Sequence, residues 1–86
     1  MIASWFAFLR IEADLAMTFI DCAKLSTTPQ GRTRSLGNAF NALAEIHRGL
    51  MNPASRGLSQ DEVAFLADRH TQIEAALAEL DEGISN

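Results

Sequence analysis

The chain has 86 residues, 48% hydrophobic and 21% charged, with a formal net charge of −4. That length suits one small domain and leaves no room for a TIM barrel or a full dinucleotide-binding fold, and the apolar fraction is too high for a disordered segment. An acidic chain lacks the basic footprint of a nucleic-acid binder, and the single Cys22 excludes an internal disulfide.

The first predicted element is a helix over residues 5–25, with Ser4 as its N-cap. The stretch from Met1 to Leu9 is greasy, with Trp5, Phe6 and Phe8. In a secretory signal the positive charge precedes the apolar run, whereas here Arg10 follows it. Arg10, Glu12, Asp14 and Asp21 interrupt the segment too often for a membrane span. The expectation is a cytoplasmic protein with no membrane partner and no nucleic-acid partner.

This helix carries two apolar stripes instead of one. Phe8, Ile11, Leu15, Cys22 and Leu25 form the first; Trp5, Leu9, Ala16, Ile20 and Ala23 form the second, about a quarter-turn away. Two neighbouring helices cover only part of so wide an arc, so the remainder predicts self-association. Ala16 and Ala23 are small enough for close helix approach. The expected subunit contact is therefore Trp5, Phe8, Leu9, Ala16, Ile20 and Ala23, giving a homodimer through the first helix. Cys22 groups with Leu15 and Leu25 and reads as a buried, unreactive thiol.

The second helix is predicted over residues 29–51. Thr28 caps it, and Pro29 occupies the first helical position, where its missing N–H does no harm. Gly31, Gly37 and Gly49 each weaken it by up to ~1 kcal/mol relative to Ala, so it depends on packing. Its apolar stripe is Leu36, Ala39, Phe40, Leu43, Ile46 and Leu50. Leu36, Phe40 and Leu43 resemble the second helix of tetratricopeptide hairpins; the repeat period and the first-helix pattern of that family are missing, which leaves shared helical packing. Arg32 and Arg34, next to the helix start, are candidate anion ligands. Asn52 to Leu58, with Pro53, reads as a loop.

The third helix opens on the clearest local signal. Ser59-Gln60-Asp61-Glu62 is a capping box, which predicts a helix over 60–81 with Gly83 just past its end. Its stripe is Val63, Leu66, Ile73, Leu77 and Leu80. His47 interrupts the second stripe and His70 the third. Three long amphipathic helices with short connections predict a single all-α domain, an up-down-up antiparallel three-helix bundle.

Charge is uneven along this plan. Residues 28–58 balance at +3 and residues 59–86 at −6, which predicts attraction between the middle and the end within the fold. Glu12 lies inside the wide arc, and hairpin register brings it to the level of His47, with His70 about one turn away. The candidate metal ligands are accordingly Glu12, His47 and His70, with Cys22 remote. The Glu-x-x-His pairs of di-iron bundles, His-Glu-x-x-His and the phosphate-binding glycine loop are all absent. Cys22 lies two turns from either histidine, too far for a nucleophile–base pair. No catalytic residue and no cofactor is expected. The functional expectation is a non-enzymatic protein–protein interaction module; the alternative is a small metal- or ligand-binding helical protein.

Overall fold

Each helix starts where a side chain accepts from one of its free N–H groups. In the computed structural model, which describes the backbone of residues 4–84 and the side chains of residues 4–80, α1 spans Trp5–Leu25, α2 Pro29–Met51 and α3 Gln60–Ile84. Ser4 Oγ accepts from the Ala7 N–H at 3.1 Å, and Thr28 Oγ1 accepts from the Gly31 N–H at 3.0 Å. At α3 the exchange is reciprocal. Glu62 N–H donates to Ser59 Oγ at 3.1 Å, and Ser59 N–H donates to Glu62 Oε1 at 2.9 Å. The α2–α3 connection turns at Gly57, whose φ of +64° suits a residue without a Cβ, and Leu58 N–H closes it on Pro53 O at 3.0 Å. α3 continues to Ile84, so Gly83 lies inside its last turn and does not terminate it.

The fold is the antiparallel three-helix bundle, with no strand among the described residues. α1 packs most extensively on α2, less on α3, and α2 touches α3 least of all. The shortest dimension is 14 Å, the depth of two helix layers. α1 and α2 form one layer, and α3 lies across one side of it.

Small residues set the α1–α2 contact. The core contains Ala13, Ala16 and Ala23 from α1 and Ala39 and Ala42 from α2, with Gly49 also buried. Leu9 fills the space over Gly49, where an added Cβ would stand 2.5 Å from Leu9 Cδ1. Gly49 thus weakens α2 as a helix but permits its close approach to α1. Ile20, Ile46, Leu66 and Ile73 complete the buried centre. Phe40, expected in the α2 stripe, is 55% exposed. It lies at the outer edge of that arc, and the line through Ala39, Ala42 and Ile46 faces α1 instead.

Candidate functional site

The roles of the two α1 stripes are opposite to the expected ones. Leu9, Ala16, Ile20 and Ala23, assigned above to a subunit contact, are buried inside this chain. Their small members face α2, and the close approach they allow is intramolecular. Phe8, Ile11, Leu15, Cys22 and Leu25 are the exposed stripe, with Ile11 at 57% and Leu15 at 40%. Cys22 is therefore not the buried thiol expected from its apolar neighbours. Of the six expected contact residues, only Trp5 and Phe8 remain on the surface.

The position of α3 explains this. Phe6 meets Phe65 edge-on at 5.6 Å between ring centres, and Arg69 pairs with Asp14 at 3.0 Å. At 100° per residue, Phe6 and Asp14 lie on one flank of the buried line of α1, and Glu12, Leu15 and Phe19 lie on the other. α3 covers the first flank, and among the described residues nothing covers the second. An open groove of about 390 Å³ runs along the second flank, bounded by Glu12, Leu15 and Phe19 of α1 and by Asn38, Glu45 and Arg48 of α2. In the first turn of α1, Trp5 and Phe8 stack edge-on at 5.6 Å, and the Arg56 guanidinium sits 4.1 Å over the Trp5 ring.

Glu12 consequently faces the groove and water. Its charged neighbours there are Glu45 and Arg48, which pair with each other, and it does not meet the histidines. His47 and His70 do come together, on the far side of α2, with ring centres 6.0 Å apart. His70 Nδ1 also lies 3.1 Å from Glu74 Oε1, one turn along α3. The expected trio is thus divided between two faces. Among the described residues, no three His, Cys, Asp or Glu side chains gather as a metal cluster.

The expected anion site is also partly used. Pro29 has no N–H, the Gly31 N–H is taken by Thr28 Oγ1, and the Arg32 N–H is bonded to Thr28 O. That leaves little of the helix start for an anion between Arg32 and Arg34. The expected attraction between the basic middle and the acidic end does not appear as ion pairs among the described residues. Arg48 pairs within its own helix with Glu45, Arg56 covers Trp5, and the interhelical pair Arg69–Asp14 joins α3 to α1. Net charge by segment does not specify which side chains share a helix face. Among the described residues, no helix is long and apolar enough to cross a membrane. No family model, curated protein or solved structure matches the chain.

Proposed function

We propose that the chain is a non-enzymatic interaction module that dimerises through the outer stripe of α1. The supporting observation is an exposed apolar row, Phe8, Ile11, Leu15, Cys22 and Leu25, interrupted once by Thr18, on the side of α1 that α3 leaves open. A row this long on a small monomer is costly in water and calls for cover. Asn38, Glu45 and Arg48 form a polar border beside it, the rim pattern of a protein contact.

A second copy fits the row by its own spacing. A two-fold contact places the same patch on both subunits. Leu15 lies at the middle of α1, so an antiparallel pair crossing at Leu15 sets Phe8 against the partner's Cys22. Large then meets small at both ends of the contact. Trp5 and Phe8, already stacked, are the aromatic anchors of such a surface.

Light scattering of the purified chain together with Ile11→Glu tests this. The expected result is a wild-type mass of twice the 9.4 kDa chain at micromolar concentration. Ile11→Glu is expected to give the single-chain mass with its helicity intact, because Ile11 touches no core. A wild-type mass of 9.4 kDa overturns the dimer. A dimer that Ile11→Glu leaves unchanged moves the contact to another face.

A further inference from the structure

We propose that His47 and His70 form a two-histidine clip for a divalent transition-metal ion such as Zn²⁺, with Glu74 as the positioning residue. The site is separate from the outer stripe of α1 and does not depend on dimerisation.

The distances are the first ground. An imidazole nitrogen lies about 1.2 Å from its ring centre and about 2.0–2.1 Å from a bound Zn²⁺, so two rings on one ion have centres at most about 6.5 Å apart. The observed 6.0 Å lies inside that limit. A tetrahedral angle at the ion brings the centres to about 5.3 Å. His47 is exposed, so rotation of its side chain closes the difference without disturbing the core.

The hydrogen-bonding pattern is the second ground. A metal-bound imidazole typically donates its other N–H to a carboxylate, which fixes the tautomer and the ring direction. Glu74 Oε1 stands 3.1 Å from His70 Nδ1, which reserves Nε2 for a ligand role. With two protein ligands the tetrahedral ion keeps two positions for water, one more than the open three-ligand zinc sites.

Charge is the third ground. The two arginines adjacent in sequence are directed elsewhere, Arg48 to Glu45 and Arg69 to Asp14. That leaves the Glu74 carboxylate as the charge beside the His70 ring, which favours a cation there. The clip would also join α2 to α3, the least extensive helix contact in the bundle. An ion held there ties down the helix pair that packing secures least, and binding to the folded state alone raises stability.

Calorimetric titration of the full chain with zinc chloride provides the test, with circular dichroism to verify folding of each variant. One ion per chain is expected, together with a higher Tm in zinc. His47→Ala and His70→Ala should each weaken binding by about tenfold or more, since each removes one of two protein ligands. Glu74→Gln is expected to weaken it by about tenfold, the usual cost of losing an orienting carboxylate. Glu12→Gln should leave it unchanged. Absence of binding overturns the clip, as does an affinity that His47→Ala leaves unchanged. One ion per two chains with a rise in mass also overturns it, because the ion then bridges copies. Unchanged affinity in Glu74→Gln removes Glu74 from the site. The mass measured without zinc reports on the α1 contact separately, so the two proposals fail independently.

Discussion

The two apolar rows of α1 differ in size more than in polarity. The inner row is Leu9, Ala13, Ala16, Ile20 and Ala23, and each member is nearly or completely buried. The outer row is Phe8, Ile11, Leu15, Cys22 and Leu25, and it faces outward. Either row alone would serve as the core face of an amphipathic helix. The inner row is chosen because its alanines let the α2 backbone come close, with Ala39, Ala42 and Gly49 opposite. Close approach multiplies the van der Waals contacts along two long helices. A row led by Phe8 and Leu15 holds a neighbour further away. Where a helix has two apolar rows, the one with small residues marks the tightest contact.

The comparison breaks most sharply at Ile20, by contrast with Ile11. Ile20 is fully buried, so Ile20→Glu places an uncompensated carboxylate in the core at a cost of about 3–5 kcal/mol. That is a large part of the total stability of a chain this size. Loss of the cooperative thermal transition by circular dichroism is expected, whereas Ile11→Glu retains it. A folded Ile20→Glu chain with single-subunit mass would restore the inner row to the subunit contact.

Glycine substitutions sharpen the same contrast within α2. At Gly49 an added methyl meets Leu9, which is buried and has little room to yield. Overpacking of that kind costs about 1–3 kcal/mol, which outweighs the gain of up to ~1 kcal/mol in helix propensity. At Gly37 a methyl would meet nothing within 4 Å. Gly37→Ala should therefore stabilise by about 0.5–1 kcal/mol. Opposite shifts of the urea midpoint are expected, and a stabilising Gly49→Ala would mean that the α1–α2 contact is looser than described.

Local signals were legible in the sequence; the choice between faces was not. Ser4, Thr28, Pro29 and Ser59 locate the helix starts because a cap is a contact across three residues. Leu66, Ile73 and Leu77 are readable as core because α3 has only one apolar row. Loop lengths bring His47 within a turn of His70, and their rings meet. Glu12 was misplaced because a level along the bundle says nothing about side, and the sequence does not say on which flank α3 docks. Cys22 was misread for the same reason, since the row it shares with Leu15 is the uncovered one. The pairing of Arg69 with Asp14 spans two helices that are not consecutive, and segment charge conceals it.

A change that touches neither row supplies the baseline for these effects. Ser59 lies at the start of α3, away from both rows of α1. Ser59→Ala keeps the backbone N–H that donates to Glu62 Oε1 but removes the hydroxyl that accepts from the Glu62 N–H. One helix-end donor then turns to water, at a cost of about 1 kcal/mol. In a domain of this size that corresponds to a fall in Tm of about 4–8 °C. Light scattering should show the wild-type mass, because the outer row is intact. Ser59→Gly should cost only a few tenths of a kcal/mol, since glycine is tolerated at this position. If Ser59→Ala changes the mass as well as the Tm, α3 contributes to the subunit contact and the outer row of α1 is not its whole extent. If it changes neither, the reciprocal bonds of Ser59 and Glu62 do not hold the first turn, and the start of α3 is secured by the packing of Val63 and Leu66 alone.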